Sequence, residues 1–255
     1  MRIGAQLYTV REFMKTPYDM AQTLEKIAAL GYRFVQLSGS GPYDPRWMRE
    51  QLEANGLRCV LTHIPVERLV NEPQRVADEH EILGCERVGI GYYDIAGEGL
   101  DAFVEKFQPV AQAFAERGLY LMYHNHNQEF ERLQGELILQ GVLRRFAPDQ
   151  LGITLDTYWV QAGGGDPAWW IRSLAGRTPC IHLKDMGYGR LAQGDGKGAI
   201  MLPVGEGNMN MDAIVQAARD SGVQYALVEQ DACNGEDPFA CLGRSYRALK
   251  AYGLE

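Results

Sequence analysis

A short apolar run followed by a stretch with helical spacing recurs eight times along the chain. Gly often lies just past the helical stretch, as in "ALGYRFVQL" and "ERGLYLMY", which is the usual end signal of a helix. Helices that cross over between strands force those strands to be parallel. Eight strand–helix units in 255 residues match the size of a (β/α)₈ barrel. We therefore expect an α/β fold, a single (β/α)₈ TIM barrel, with strands near residues 3–7, 34–38, 57–63, 86–91, 119–124, 151–155, 179–183 and 225–229.

The organisation of the chain favours one domain. No linker or low-complexity segment divides residues 1–255, so we expect them to form one barrel domain. A doubly wound open sheet is the alternative, but the GxGxxG turn typical of that fold does not follow the first strand. The longest irregular stretch covers residues 185–209, and loops of this length are often lids or binding loops. A tolerated surface insertion is the other interpretation of this stretch.

The composition limits the partners and the location. The formal net charge is −8 and no basic run exceeds the pair Arg144 and Arg145, which argues against a nucleic-acid partner. No apolar stretch approaches the roughly 20 residues of a membrane span, so no membrane partner is expected. The N-terminus reads as a strand rather than a signal peptide, and the five cysteines are scattered without a CxxC pair. These features predict a cytoplasmic protein with reduced thiols.

Side chains that bind metals come at the ends of four late strands. The active site of a (β/α)₈ barrel lies at the carboxyl ends of its strands. Asp156, His182 and Glu229 come near the ends of the sixth, seventh and eighth runs. Because imidazoles and carboxylates bind Mn²⁺, Co²⁺, Zn²⁺ or Mg²⁺, we predict one divalent metal ion on these residues. The fifth run leads into "YHNHNQEF", where strand periodicity leaves Glu129 and His124 both open as the fourth ligand.

Each of these residues also has an ordinary structural interpretation. Glu229 could pair with an arginine, Asp156 could cap the next helix, and His182 could be a hydrogen-bonded core histidine. Their occurrence at consecutive strand ends is what favours a metal site over these separate explanations.

Other side chains near the strand ends are candidates for catalysis or substrate binding. Strand alternation places His124 and His126 on one side of the chain, and histidine can move protons near neutral pH. Lys184 could hold a substrate oxygen or a developing enolate, or it could form a solvated ion pair with Asp185. The side chains that could hydrogen-bond or stack against a substrate, with core packing as the alternative for the aromatic ones, are Gln6, Tyr8, His63, Tyr92 and Trp159.

Six segments from the first strand to the last carry a family resemblance. They are "IGAQLYTVRE", "YHNHNQEF", "LDTYWVQAGGGDP", "HLKD", "VGEGNMNMDAI" and "VEQD". With them the chain resembles the xylose-isomerase-like TIM-barrel superfamily of sugar isomerases and epimerases, whose members bind one divalent cation with a Glu, an Asp, a His and a second Glu. The resemblance implies Asp156, His182 and Glu229 as ligands, while the position of the first Glu is His124 here.

The resemblance implies an enzyme acting on a small sugar or keto-sugar, and also a homo-oligomer. We expect a metal-dependent isomerase or epimerase that removes a proton next to a carbonyl through a metal-stabilised enediolate. Its candidate catalytic residues are His124, Glu229, Lys184 and His126. The "YHNH" form also resembles inosose-dehydratase-like and 3-keto-sugar-processing proteins, so a lyase on the same metal site is the alternative. An apurinic-site endonuclease and a barrel without activity are interpretations from other classes.

Overall fold

The computed structural model describes residues 1–191 and 196–255, and a closed barrel of eight parallel strands forms its centre. The strands follow one another around the barrel in chain order, and the last pairs with the first. Their bounds are Arg2–Gln6 (β1), Phe34–Leu37 (β2), Arg58–His63 (β3), Arg87–Ile90 (β4), Tyr120–His124 (β5), Leu151–Asp156 (β8), Cys180–Leu183 (β9) and Tyr225–Val228 (β12). All eight predicted runs are barrel strands, which confirms the (β/α)₈ TIM barrel.

Helices connect the strands on the outside of the barrel. Several begin where an Asp side chain accepts backbone N–H groups and a proline follows, as at Asp44, Asp166 and Asp237. Gly84, with φ of +69°, ends one of them in the left-handed conformation. Their bounds are Pro17–Ala29 (α1), Pro45–Ala54 (α2), Val66–Asn71 (α3), Pro73–Leu83 (α4), Ile95–Glu98 (α5), Leu100–Ala115 (α6), Ile138–Arg145 (α7), Thr157–Ala162 (α8), Pro167–Ser173 (α9), Met211–Asp220 (α10) and Pro238–Ala251 (α11), with 3₁₀ helices at Leu7–Phe13 and Gln128–Phe130. Within the described ranges, no helix is long and apolar enough to cross a membrane.

The barrel wall buries a separate apolar cluster on each of its two faces, because successive strand side chains point to opposite faces. The larger cluster lies between strands and helices and includes Leu121, Tyr123 and Ile181. The smaller one lies inside the barrel, and we call it the barrel floor: Val60, Leu61, Met122, Cys180, Tyr225 and Leu227. Gly152 lies beside this floor, where a Cβ atom would overlap the Met122 side chain.

The stretch 185–209 is not irregular throughout, contrary to the sequence-based expectation. Asp185–Arg190 (β10) and Lys197–Leu202 (β11) form an antiparallel hairpin outside the barrel sheet, and residues 192–195 of this stretch lie outside the described residues. The buried Asp185 carboxylate accepts N–H groups of Gly205 and Gly207, which fixes the segment after the hairpin. The sequence did not indicate this hairpin, because its alternating glycines weaken the pattern typical of a strand. A second short hairpin pairs Arg132–Leu133 (β6) with Glu136–Leu137 (β7).

Candidate functional site

Four buried side chains converge at the carboxyl rim of the barrel. His124 ends β5, Asp156 ends β8, His182 lies in β9 and Glu229 directly follows β12. Each offers one nitrogen or oxygen atom, and these four atoms lie within 4.8 Å of one another. We call these residues the ligand group. Parallel strands in a closed barrel end at one rim, which is why side chains so distant in the chain meet.

Hydrogen bonds on the outer side fix both imidazole rings. His182 Nε2 lies 2.6 Å from Gln36 Oε1, and His124 Nδ1 lies 3.1 Å from the carbonyl oxygen of Gly91. Both partners are acceptors, so the outer nitrogen of each ring carries the proton. The inner nitrogens, His182 Nδ1 and His124 Nε2, are therefore the atoms that carry a lone pair when the rings are neutral. This arrangement is typical of metal-binding histidines, whose second nitrogen donates to a fixed acceptor.

The inner nitrogens face carboxylate oxygens. His124 Nε2 lies 3.2 Å from Asp156 Oδ2, and His182 Nδ1 lies 2.9 Å from Glu229 Oε2. A lone pair directed at an anion is unfavourable unless a proton or a metal ion lies between the two. Among the described residues, neither His182 Nδ1 nor Glu229 Oε2 has a well-aligned hydrogen bond, although their distances to neighbours are short. Two imidazoles and two carboxylates in this arrangement fit a divalent transition metal.

Asp156 caps a helix and also faces the other residues of the ligand group. Its Oδ1 accepts the N–H of Trp159 at 3.0 Å and caps α8, while Oδ2 faces the ligand group. Its backbone N–H donates to Asn125 Oδ1 at 3.0 Å, so β5 and β8 are tied together at the site. The helix cap therefore fixes the orientation of the carboxylate rather than replacing its role in the ligand group.

Lys184 brings an ammonium group into the same cluster and does not form a solvated ion pair with Asp185. Its Nζ lies 3.1 Å from Asp156 Oδ2 and 2.9 Å from each of Glu229 Oε2 and Asp231 Oδ2. Burial would lower the pKa of Lys184, but the carboxylates outweigh burial and raise it above its usual value. Burial would likewise raise the pKa of Glu229, but Lys184 and His182 hold it below its usual value. Both groups are charged at neutral pH.

Glu129, the other residue considered as fourth ligand, is not part of the ligand group. Its Oε1 accepts the hydroxyl of Tyr123 at 2.6 Å, and its Oε2 accepts the backbone N–H of His126 at 2.6 Å. Tyr123 belongs to the cluster between strands and helices, so the carboxylate is turned away from the barrel interior. Glu129 stabilises the bend of the chain after β5, and His124 takes the fourth position of the ligand group.

A cavity of about 580 Å³ lies above the ligand group and reaches the surface. The candidates chosen from the sequence that line it are Gln6, Tyr8, His63, Tyr92, His124, His126, Trp159, Lys184 and Glu229. The structure adds Arg11, Ser38 and Asp231, which no sequence argument had assigned a role. Arg11 packs over the Tyr8 ring at 4.3 Å and donates to the Asp231 carbonyl oxygen. Arg11 and Asp231 lie in segments that carry the family resemblance, but their spacing in the sequence does not indicate that they line a cavity.

His63 and His126 place two more imidazoles in the cavity. Ser38 Oγ lies 3.2 Å from His63 Nδ1, and a Cβ atom at Gly91 would lie only 2.9 Å from that nitrogen. Burial, followed by the neighbouring His124, lowers the pKa of both rings, that of His126 to about 3. His63 Nε2 and His126 Nδ1 are buried without a hydrogen-bond partner in the described part of the chain. Both rings are neutral at pH 7, with a nitrogen free for a ligand.

Three solved structures illustrate what the chain is similar to. A sugar phosphate isomerase/epimerase from Parabacteroides distasonis ATCC 8503 is 21% identical with a TM-score of 0.81, over 98% of this chain and 93% of that chain. L-ribulose 3-epimerase is 16% identical with a TM-score of 0.73, over 99% and 94%. The probable 3-DHS dehydratase AsbF of Bacillus anthracis is 17% identical with a TM-score of 0.73, over 98% and 99%. At these identities the likeness establishes the shared fold.

The family follows from the sequence match. A search of curated proteins finds no match to this chain. The family model of the xylose isomerase-like TIM barrel matches residues 24–240, a range that includes the ligand group and Lys184. The chain therefore belongs to the xylose isomerase-like TIM barrel family.

Proposed function

We propose that the protein is a divalent-metal-dependent isomerase or epimerase of a small sugar or keto-sugar, removing a proton next to a carbonyl through an enediolate. The ligand group carries this proposal: two imidazoles with fixed outer nitrogens direct their inner nitrogens at two buried carboxylates. These groups lie at the bottom of a cavity with the volume of a small-molecule site. Family membership and the likeness to L-ribulose 3-epimerase support the same reaction class.

His124, Asp156, His182 and Glu229 would hold the ion, with His124 as the fourth ligand. When bound, the ion would supply a Lewis acid beside the substrate carbonyl. Lys184, whose ammonium group lies in the same cluster, would donate a hydrogen bond to the substrate oxygen that gains negative charge. Because Lys184 is 1% exposed, this donor acts in a water-poor environment, where its electrostatic effect is larger than in solution.

Glu229 and His126 are the groups we assign to proton transfer. Gln6 Nε2 donates to Glu229 Oε1 at 2.9 Å, which orients an ionised carboxylate toward the cavity. His126 is a neutral imidazole whose Nδ1 is free of partners among the described residues, so it can accept a proton from the substrate and has none to give before it does so. Both groups are unprotonated at neutral pH, so the one that removes the proton from the carbon beside the carbonyl would also return a proton to the enediolate.

The remaining cavity walls suit a hydroxylated substrate. His63 Nε2 and Trp159 Nε1 are buried and lack partners within the described ranges, so they offer hydrogen bonds to hydroxyl groups. Tyr8 and Tyr92 are 36% and 55% exposed and present ring faces against which the C–H groups of a sugar can pack. We assign Gln6, Tyr8, His63 and Trp159 to substrate binding.

A lyase reaction on the same site is the second candidate. His63 is a further neutral imidazole in the cavity and could donate a hydrogen bond to an oxygen that leaves from the β-carbon, while the proton that Glu229 takes from the substrate would leave with that oxygen. The likeness to the probable dehydratase AsbF supports this class as well. Elimination and isomerisation share the first proton transfer and differ in the product, since elimination alone releases water or an alcohol and creates a new ultraviolet absorbance.

Isotope exchange tests the proposal before the substrate is known. The protein with Mn²⁺ is incubated in D₂O with a panel of ketoses, keto-inositols and 3-keto-glycosides, and the products are examined by NMR. We expect deuterium at a carbon next to the carbonyl of at least one compound, and release of water or alcohol would indicate the lyase. Glu229→Gln should lose the exchange, while Glu25→Gln, on the exposed face of α1, should retain it. Absence of exchange across the panel would contradict the proposal.

A further inference from the structure

Lys184 is held at the ligand group from both its backbone and its side chain. Its N–H donates to Thr157 Oγ1 at 3.0 Å, and the hydroxyl of Thr157 lies 2.7 Å from its carbonyl oxygen. The side chain is 1% exposed and ends among three carboxylates. A buried lysine needs such partners, because an unpaired ammonium group is strongly unfavourable away from water.

The ammonium group and the imidazoles converge on the same two oxygens. Asp156 Oδ2 lies 3.1 Å from Lys184 Nζ and 3.2 Å from His124 Nε2. Glu229 Oε2 lies 2.9 Å from Lys184 Nζ and 2.9 Å from His182 Nδ1. A divalent ion held by the ligand group would therefore share both of its carboxylate oxygens with Lys184. Two cations bound to one oxygen pair repel each other strongly in a protein interior.

Asp231 provides the ammonium group with a second partner outside the ligand group. Its two carboxylate oxygens lie 3.0 and 2.9 Å from Lys184 Nζ, and its side chain is 24% exposed. Arg11 donates to the Asp231 carbonyl oxygen and fixes the segment that carries it. Lys184 can therefore keep its two hydrogen bonds to Asp231 while its contacts to Asp156 and Glu229 are given up.

We propose that Lys184 is an internal cation that competes with the divalent ion and thereby sets its affinity, with Asp231 receiving the ammonium group when the ion binds. This inference rests on the metal site of the proposed function. The ammonium group and a divalent ion would compete for the same carboxylate oxygens of Asp156 and Glu229. Removing the ammonium group should therefore tighten ion binding and weaken the metal-free protein. A lysine with a merely structural role would have no such effect on ion affinity.

Metal titration of three variants tests the competition. Lys184→Met removes the charge at similar length, Lys184→Arg keeps the charge, and Lys250→Met changes an exposed lysine at the end of α11. Each protein is stripped with a chelator and titrated with Mn²⁺ by calorimetry. We expect Lys184→Met to bind Mn²⁺ on the order of tenfold more tightly or better, because a repelling charge is lost. Lys184→Arg should stay close to the unmodified protein, and Lys250→Met should equal it.

Thermal unfolding keeps the test informative when Lys184→Met folds poorly. We expect the increase in Tm on adding Mn²⁺ to be larger for Lys184→Met than for the unmodified protein, and folding that depends on Mn²⁺ would support the inference most strongly. Equal or weaker Mn²⁺ binding by Lys184→Met overturns the inference and leaves the metal-dependent function standing. Failure of every variant to bind Mn²⁺ overturns both, and deuterium exchange without added metal would then identify a different mechanism.

Discussion

The rim and the floor of the barrel are built by the same strands but have opposite chemistry. Met122 and His124 are two residues apart on β5, and Cys180 and His182 are two apart on β9, so each pair points to the barrel interior. The lower residue of each pair belongs to the apolar floor, and the upper one belongs to the ligand group. Two residues along a strand thus separate an apolar side chain of the floor from a polar side chain of the ligand group.

The rim and the floor also differ in how many of their buried polar atoms have a hydrogen-bond partner. The floor is closed by apolar contacts, with Gly152 allowing Met122 to pack closely. Most of the buried side-chain atoms without a hydrogen-bond partner in the described part of the chain lie at the rim, namely Gln36 Nε2, His63 Nε2, His126 Nδ1, Trp159 Nε1, His182 Nδ1 and Glu229 Oε2. Unsatisfied buried polar groups reduce stability, so the apolar contacts of the floor must offset the cost of the polar groups at the rim.

Replacing Glu229 with Gln should affect activity most. The amide keeps the shape of the side chain but removes the proposed base and one charge of the ligand group, so we expect the exchange rate to fall by about 10²–10⁴-fold. Deuterium incorporation measured by NMR at neutral pH gives the rate, and circular dichroism reports the fold. Glu25→Gln serves as the matched control on an exposed helix face. Full activity of the Glu229→Gln protein would contradict the proposed role of Glu229 as the base.

Replacing Leu227 with Ala should reduce stability and leave the ligand group unaffected. Leu227 is 0% exposed in the floor, and the cavity left by truncation should lower the free energy of unfolding by about 2–5 kcal/mol. We expect the Mn²⁺ affinity of the folded protein to be unchanged, because the ligand group lies one level above. Urea unfolding and calorimetry measure the two quantities. Leu191→Ala, at a 39% exposed leucine, is the control, and a large loss of Mn²⁺ affinity in Leu227→Ala would show that the levels are coupled.

Replacing Gln36 with Leu tests whether the rim depends on its outer hydrogen bonds. Without the acceptor at 2.6 Å, His182 is free to change its tautomer and orientation, so we expect metal affinity to fall by about 10–100-fold. Calorimetric titration with Mn²⁺ measures this loss, and Gln161→Leu on the exposed end of α8 is the control. An unchanged affinity would mean that packing alone orients the ring.

Local patterns in the sequence were sufficient to predict the barrel and most residues of the ligand group. Apolar runs and terminal glycines depend on neighbouring residues, so they located all eight strands and hence Asp156, His182 and Glu229. The choice between His124 and Glu129 depended on how the chain bends after β5, which is set by the contact of Glu129 with Tyr123. Periodicity contains no information about such a bend.

The remaining features depend on residues far apart in the chain. Gln36 and His182 are 146 positions apart, and Lys184 and Asp231 are 47 apart, so neither pair leaves a spacing signal. The hairpin of β10 and β11 was missed because its glycines resemble those of a loop. Sequence thus predicted which side chains reach the rim, whereas the partners that orient them required the structure.

His80 gives the smallest expected effect and extends the comparison to the outer face of the barrel wall. It lies 1% exposed on α4, where Nδ1 donates to the Val76 carbonyl oxygen and Nε2 accepts the hydroxyl of Thr62. Both nitrogens are satisfied, whereas Nε2 of His63, the next residue after Thr62 on the opposite face of β3, has no partner among the described residues. Burial lowers the pKa of His80 below its ordinary value of 6.5, since the backbone contact and Glu79 only partly oppose it.

The pH dependence of stability should therefore contain a contribution from His80. Below about pH 6.5 the unfolded chain takes up a proton that the folded His80 does not, so stability is full above that pH and is lost as the pH falls. We expect urea unfolding of the metal-free protein to show this loss, and His80→Gln, which keeps an acceptor for Thr62, should show a shallower one. The rim residues His63 and His126 contribute with the same sign, so part of the slope should persist. An identical slope in His80→Gln would show that the satisfied histidine on the helix side contributes nothing to the acid sensitivity.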